Sequence, residues 1–304
     1  MTRSPSPAWV DRKEYPFEPR RFTTLHGAIS YVDEGRGPAV VMLHGNPSWS
    51  FEYRHLIQAL APQYRCIAVD HLGFGLSDKP FDVEYTPALH ARNLSSLLSS
   101  LDVGPCVFVV GDWGGPIGLS YVVEHADQVK GVIMANTWAW PIRALDLYYQ
   151  GFSRFMGGPI GRYLIRNRNF FVEKVMPSAT GNKAALTPAV MDHYRGPFPE
   201  PRDRKASWCF PRQITAAYDW LDGLWSRRDL FRQKPFLVLW GEKDIAFRMK
   251  ELNVWRGVLT NAEVHTFPTI GHYVAEEAPL EVLPLIRAFL ERTVGSRTKG
   301  LRSA

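Results

Sequence analysis

An acidic residue, Asp112, stands at a sharp turn between a strand predicted at residues 106–110 and a helix predicted at residues 114–124. Two glycines just after it, Gly114 and Gly115, let the chain turn tightly and let the helix pack close to the strand. A carboxylate at such a turn attacks saturated carbon by displacement and forms an alkyl ester, whereas attack on an ester would give an anhydride. These residues predict a nucleophile at Asp112; the alternative is an acid that only caps the following helix.

An ester on a carboxylate must be hydrolysed, which requires a base for water and an acid that orients the base. Of nine histidines, His272 stands in a Gly-His pair shortly after a strand predicted at residues 263–267. Asp244 follows another late strand, predicted at residues 235–240. Glu242 is the weaker candidate for the acid, because it falls inside the tight turn after that strand. The predicted nucleophile, acid and base are therefore Asp112, Asp244 and His272.

Two uncharged hydrogen-bond donors are predicted beside the nucleophile. Asn46 follows a His-Gly pair at the end of a predicted strand, and Trp113 follows the nucleophile directly. Their backbone N–H groups are placed to form an oxyanion hole, and their amide and indole side chains could hold a departing halide in an apolar cavity. The alternative is that Trp113 only packs and Asn46 only makes a turn. His44 is interpreted as a structural member of this loop.

Strands and helices alternate along most of the chain. Strands are predicted at residues 21–25, 29–32, 39–43, 66–70, 106–110, 131–135, 235–240 and 263–267. Helices are predicted at residues 51–60, 87–101, 114–124 and 279–292. This pattern predicts a mostly parallel, eight-stranded sheet flanked by helices. A stretch rich in aromatic residues with helical spacing interrupts it, which predicts a core at residues 1–138, a helical cap at residues 139–226 and the rest of the core at residues 227–304.

The bulk composition is that of an ordinary globular protein. The chain has 304 residues, 45% of them hydrophobic and 22% charged, and its net charge is +6. The positive charge is scattered apart from short clusters at residues 202–205 and 297–302, so no nucleic-acid partner is expected. Two of the three cysteines, Cys66 and Cys106, fall in predicted core strands, whereas Cys209 does not. We expect free thiols in a reducing compartment.

The first twenty residues are polar and contain no apolar core of a signal peptide. No apolar run reaches the roughly 18 residues needed to span a bilayer. We therefore expect a cytoplasmic protein that has no membrane partner.

Four segments together resemble the haloalkane dehalogenases, a family with the α/β-hydrolase fold. They are residues 44–50, 70–77, 111–115 and 271–272, which read HGNPSWS, DHLGFGLS, GDWGG and GH. The elbow is shared with epoxide hydrolases, but those usually have an aromatic residue at the position of Asn46 and a histidine at that of Gly111. Some relatives carry the acid at a position equivalent to residues 135–138, which hold no carboxylate here. The resemblance is therefore to the subgroup with an aspartate acid and an Asn–Trp halide site.

The resemblance implies Asp112 as nucleophile, His272 as base, Asp244 as acid, and Asn46 and Trp113 as halide contacts. It implies a small apolar haloalkane as substrate and an alcohol, halide and a proton as products, with neither a metal nor an organic cofactor. It also suggests self-association into a homo-oligomer.

Two other functions stay open. An epoxide hydrolase would use the same triad and would need acidic tyrosine hydroxyls in the cap; the candidates are Tyr148, Tyr149, Tyr163, Tyr194 and Tyr218. A hydrolase-fold protein that binds a small molecule without turnover is the third possibility, and the full set of nucleophile, acid and base argues against it.

Overall fold

The computed structural model describes residues 2–3 and 6–295, so the basic cluster predicted at residues 297–302 lies outside the described part of the chain. The strands are β1 (Thr2–Arg3), β2 (Arg20–Thr24), β3 (Gly27–Glu34), β4 (Ala39–Leu43), β5 (Arg65–Val69), β6 (Cys106–Gly111), β7 (Val129–Ala135), β8 (Phe236–Gly241) and β9 (Glu263–Phe267). Together they form one sheet in the order β1-β2-β3-β5-β4-β6-β7-β8-β9.

Neighbouring strands are parallel in the part of the sheet ordered β5-β4-β6-β7-β8-β9. They are antiparallel in the part ordered β1-β2-β3-β5. Every residue of β4 and β8 is buried, as expected for strands covered on both faces. All eight predicted strands are present, and the two-residue β1 extends the antiparallel edge. The predicted α/β architecture is confirmed.

The α-helices, in chain order, are α1 (Arg54–Leu60), α2 (Pro87–Ser100), α3 (Gly114–Glu124), α4 (Leu147–Gly157), α5 (Pro159–Arg168), α6 (Met176–Ala179), α7 (Pro188–Arg195), α8 (Lys205–Ala216), α9 (Tyr218–Ser226), α10 (Met249–Val258), α11 (Val274–Glu277) and α12 (Pro279–Val294). Helix α3 packs on β4 and β6, and α12 packs on β6, β7 and β8. None of the helices in the described part of the chain is long and apolar enough to cross a membrane.

Two local predictions differ from the structure. The helix predicted at residues 51–60 is a 3₁₀ turn, Ser50–Tyr53, followed by α1. The turn is fixed from outside, because the buried carboxylate of Asp70 accepts a hydrogen bond from the Ser50 amide at 2.8 Å. The predicted hairpin turn shifts by one residue, because Gly27 pairs with Thr24 as the first residue of β3.

Six of the helices, α4 through α9, lie between β7 and β8 in the chain. Helix α4 packs against α5 and α8. Met156, Ile165, Phe171 and Trp208 form a small apolar cluster of their own within this segment. The helical content agrees with a cap, while its boundaries at residues 138/139 and 226/227 stay a prediction.

Candidate active site

The turn after β6 holds Asp112 in a left-handed backbone conformation, with φ at 46°. A non-glycine residue there is strained by about 1–3 kcal/mol, so the surroundings must fix it. The Asp112 amide donates to the Asn136 carbonyl at 3.1 Å. The Asp112 carbonyl accepts from the Gly115 amide at 3.0 Å and from the Thr137 hydroxyl at 2.6 Å. A Cβ on Gly115 would lie 1.8 Å from the Thr137 hydroxyl oxygen, so only glycine permits this packing.

Two backbone amides hydrogen-bond the carboxylate of Asp112. The Asn46 amide donates to Oδ1 at 2.8 Å, and the Trp113 amide also hydrogen-bonds the carboxylate. The chain before Asn46 approaches closely, since a Cβ on Gly45 would lie 2.2 Å from Oδ1. Burial raises the pKa of Asp112, while His272 and the two amides lower it. The Asn46 amide therefore stabilises negative charge on Oδ1, and Oδ2 faces His272.

His272 lies between two carboxylates. Its Nε2 is 3.8 Å from Asp112 Oδ2, and its Nδ1 is 2.8 Å from Asp244 Oδ2. Burial alone would lower the pKa of His272, but the charge and hydrogen bond of Asp244, with the charges of Asp112 and Glu52, raise it to about 9. The resting site is therefore stabilised with a charged imidazolium between Asp244 and Asp112.

Asp244 is fully buried, whereas Glu242 is exposed. Asp244 Oδ1 accepts from the Ala246 amide at 2.7 Å. Its Oδ2 accepts from the Asn136 side-chain amide at 3.0 Å, in addition to His272. The acid is thus held at both oxygens, which fixes the histidine ring opposite it.

Asn136 is a site residue that the sequence analysis misses. Its side-chain oxygen accepts from the Gly241 amide at 2.8 Å, and its amide group donates to the Gly241 carbonyl at 3.0 Å as well as to Asp244. It stands in the stretch of residues 135–138, which holds no carboxylate. The available signal was a polar amide directly after a buried strand, at the edge where the other candidates lie.

The loop that carries His272 is held by the buried carboxylate of Glu277. Its Oε2 accepts from the amide of Gly271 at 2.8 Å, and its Oε1 accepts from the amide of Tyr273 at 3.1 Å. The same Oε2 accepts from the Gly181 amide at 2.8 Å. One carboxylate therefore joins the histidine loop to the segment after α6.

A cavity of about 90 Å³ opens above Asp112. Its walls are mainly aromatic and aliphatic, and they include Asn46, Trp113, Trp138, Ile142, Tyr148, Tyr149, Phe152, Phe171, Ile214, Phe247 and His272. The Trp113 ring makes an edge contact with Trp138, with centroids 4.6 Å apart. The Asn46 side-chain amide donates to the Ser207 carbonyl at 3.3 Å, which leaves its second N–H available. The cavity suits a small apolar molecule with one polar end at Asp112.

Trp138 is a second residue that the sequence analysis does not single out. It is only 3% exposed, and its indole nitrogen has no hydrogen-bond partner among the described residues. Its position beside Trp113 in the cavity wall gives the cavity another indole.

Of the five cap tyrosines that could serve epoxide chemistry, three have hydroxyls that donate to other protein groups, and two are exposed and lie outside the cavity wall. Tyr148 and Tyr149 reach the cavity, but their hydroxyls donate to the carbonyls of Ile245 and Ala246, each at 2.8 Å. Tyr194 is buried and donates to Glu276 at 2.6 Å. Tyr163 and Tyr218 are exposed, and neither belongs to the cavity wall. This arrangement does not present a pair of free tyrosine hydroxyls to a ligand.

His44 has a structural position under the Asn46 loop. Its Nδ1 bonds the Gly45 carbonyl at 2.7 Å, and its Nε2 accepts from the His71 amide at 3.0 Å. Burial lowers the pKa of His44 well below its usual range, so the ring is neutral. No group of three or more metal-ligating side chains occurs among the described residues that could hold a metal ion.

Comparison with known proteins places these observations in a family. The α/β hydrolase fold family matches residues 38–279. Haloalkane dehalogenase 2 of Mycobacterium tuberculosis is 40% identical over 273 residues, which cover 88% of this chain and 93% of that protein. The crystal structure of haloalkane dehalogenase DatA from Agrobacterium tumefaciens superposes with a TM-score of 0.80 at 26% identity, over 90% of this chain and 96% of that one.

A relative with a different name is also similar. The cis-3-alkyl-4-alkyloxetan-2-one decarboxylase of Xanthomonas campestris pv. campestris is 36% identical over 296 residues, which cover 91% of this chain and 97% of that protein. Relatives that match about nine-tenths of this chain therefore carry the names of two different reactions.

Proposed function

Since this chain belongs to the haloalkane dehalogenase family of α/β hydrolases, we propose that it hydrolyses haloalkanes to an alcohol, a halide ion and a proton. The observation that carries the proposal is the setting of Asp112. One of its oxygens is held by the Asn46 amide, and the other lies 3.8 Å from His272 Nε2, below an apolar cavity.

The first step is displacement at an sp³ carbon. Asp112 Oδ2 attacks the carbon in line, a C–O bond forms, and the carbon–halogen bond breaks with its electron pair leaving on the halide. The side-chain N–H groups of Asn46 and Trp113 stabilise the developing anion. The enzyme is left as an alkyl ester of Asp112.

The second step is hydrolysis of that ester. His272 Nε2 takes a proton from water, whose oxygen attacks Cγ of Asp112. The amides of Asn46 and Trp113 stabilise the oxyanion. The bond from Cγ to the alkyl oxygen then breaks, and the alcohol leaves with a proton from His272. The second water hydrogen is released from the Asp112 carboxyl group as the product proton, which restores the carboxylate. Because the charge of Asp112 raises the pKa of His272, esterification helps the base to become neutral for this step.

Removing either halide donor should slow halide release by about 10²–10³-fold. The variants are Asn46→Ala and Trp113→Phe, and each removes a donor that matters most as charge develops on the leaving group. Bromide or iodide alone should also change the tryptophan fluorescence of the parent saturably, and the change should weaken in both variants. Trp225→Phe is the matched control, because Trp225 is one of the ten tryptophans but lies outside the wall of this cavity, beside Trp140 and Trp255. Unchanged rates in both donor variants would contradict the assignment.

A panel of bromo- and chloroalkanes, assayed for halide release beside a panel of epoxides, tests the function itself. We expect halide release and no diol formation. The bound hydroxyls of Tyr148 and Tyr149 favour this result, since they donate to backbone carbonyls rather than to the cavity. Epoxide opening without halide release would overturn the proposal.

The second candidate is decarboxylation of a 3,4-dialkyl-oxetan-2-one, which the 36% identity to a protein of that name favours. The same nucleophile could attack ring carbon 4, so that the ring C–O bond breaks and leaves a free carboxylate. Loss of carbon dioxide would then form the alkene as the bond to Asp112 breaks, and no water is consumed. Assay of a cis-dialkyl oxetanone for alkene, beside the haloalkane panel, separates the two reactions.

We further propose that residues 139–226 act as the cap of a core formed by residues 1–138 and 227–304. We also propose that the protein is cytoplasmic and that it self-associates. Three free cysteines support a reducing compartment. Sedimentation of the purified chain over a range of concentrations would measure self-association.

A further inference from the structure

A second, smaller cavity lies against Asp112 and His272. Its volume is about 20 Å³, which is enough for a water molecule. Its walls come from the ends of β6, β7 and β8, from α1, α11 and α12, and from the 3₁₀ turn Ser50–Tyr53. It therefore reaches the reacting groups from the core, whereas the larger cavity reaches them below the helices α4 to α9.

Glu52 places a carboxylate in the wall of this small cavity. Apart from two tyrosines, the titratable side chains of the wall are Glu52, Asp112 and His272. Glu52 is 8% exposed, and its neighbours in the 3₁₀ turn include the buried aromatics Phe51 and Tyr53. An apolar side chain would avoid the desolvation penalty that an acid carries there. The reaction described above gives this carboxylate no role.

We propose that the small cavity holds the water that hydrolyses the alkyl ester, and that Glu52 is a catalytic residue that binds this water. One water hydrogen would be transferred to His272 Nε2, and the other would be donated to the Glu52 carboxylate. The water oxygen would then face Cγ of Asp112 and form the new C–O bond. This inference rests on the proposed dehalogenase reaction and assigns Glu52 to its second step only.

The electrostatics of the pocket agree with such a role. Burial raises the pKa of Glu52 to about 7, opposed by the Ser48 hydrogen bond and by His272, and reinforced by Glu276 and Asp112. Tyr53, Tyr194 and Tyr273 also interact electrostatically with Glu52. Esterification removes the charge of Asp112, which favours the ionised, hydrogen-bond-accepting form of Glu52 at the step that needs it. Protonation of Glu52 should slow ester hydrolysis on the acid side, in addition to the slowing that protonation of the base His272 causes.

The test is rapid-quench kinetics of Glu52→Gln and Glu52→Leu with a bromoalkane. The initial burst of halide should match the parent, because displacement does not involve Glu52. Ester hydrolysis should slow by about 10-fold in Glu52→Gln and about 100-fold in Glu52→Leu, the range for a hydrogen bond to a charged group. Intact-protein mass spectrometry should show the alkyl ester accumulating. Both variants should keep the acid-side fall in hydrolysis that protonation of His272 causes, but should lose the additional fall that protonation of Glu52 causes in the parent, while Glu52→Asp should recover part of the rate.

Ser48→Ala is the matched control, because it removes the hydrogen-bond partner of Glu52 and keeps the carboxylate. At pH 9, where Glu52 is ionised with or without this hydrogen bond, Ser48→Ala should hydrolyse the ester like the parent if Glu52 acts on water. If Ser48→Ala reproduces the Glu52→Gln defect at that alkaline pH, or if Glu52→Gln turns over normally, the role of Glu52 is wrong while the dehalogenase reaction stands. A parent that releases no halide from any haloalkane would overturn both.

Discussion

Replacement of His272 by phenylalanine should stop the reaction after one halide ion is released per active site. Displacement needs only Asp112 and the halide donors, whereas hydrolysis of the ester needs the base. The phenyl ring should fit the space, because the imidazole is stacked on Phe247 with centroids 5.7 Å apart. Turnover should fall by about 10⁴-fold, and intact-protein mass spectrometry after exposure to a bromoalkane should show one alkyl group on the peptide that contains Asp112.

The pH of this experiment matters. Burial raises the pKa of Asp112, and the positive charge of His272 is the largest of the influences that lower it. Without the imidazolium the nucleophile is more readily protonated, so the halide burst of His272→Phe should be fastest at alkaline pH. The double variant Asp112→Asn/His272→Phe is the control and should form no adduct. Normal multiple turnover in His272→Phe would remove histidine from the role of base.

The second large effect is expected at Asp244. Asp244→Asn should lower turnover by about 10⁴-fold, the loss seen when the orienting carboxylate of a triad is replaced. Burial lowers the pKa of His272, and the negative charge of Asp244 is the largest influence that raises it. Asp244 Oδ2 also accepts a hydrogen bond from the Asn136 side-chain amide. An asparagine at this place cannot accept from both groups with a charged oxygen, so the histidine ring loses its fixed tautomer.

Glu242→Gln is the matched control for Asp244→Asn, because it makes the same chemical change two residues away at an exposed position. Its turnover should stay within about 2-fold of the parent, as expected for an exposed residue outside the site. The reverse ranking of the two variants would move the acid to Glu242.

Thermal unfolding adds a readout for the Asp244 pair that is independent of turnover. The pKa of His272 is raised from 6.5 to about 9, so the ion pair stabilises the fold fully below pH 6.5, and this contribution is lost as the pH rises through 9. The loss of stability in Asp244→Asn should therefore be largest below pH 6.5. A loss that is equal at pH 6 and at pH 10 would contradict the charged pair.

Local patterns in the sequence were sufficient to predict the fold. The predicted bounds of β4, α3 and β9 agree with the structure at both ends. Apolar runs bounded by glycine, proline and polar loops define these elements, and that information lies within about ten residues of each of them. The 3₁₀ turn Ser50–Tyr53 was not predictable in this way, because Asp70, which fixes its first amide, is 20 positions away.

The sequence by itself determined which side chains at the candidate site have reactive chemistry, because the elbow, the Gly-His pair and the late acid each have a short local signature. Only the tertiary structure decided which of them meet. Asp244 and His272 are 28 positions apart in the sequence, yet Asp244 Oδ2 lies 2.8 Å from His272 Nδ1. Glu242, two residues before Asp244, is exposed to solvent. Asn136 has only its position directly after a buried strand as a local signal, and Glu52 has no such signature. Their positions beside Asp244 and beside the water-sized cavity follow from the convergence of parallel strand ends, which no local pattern specifies.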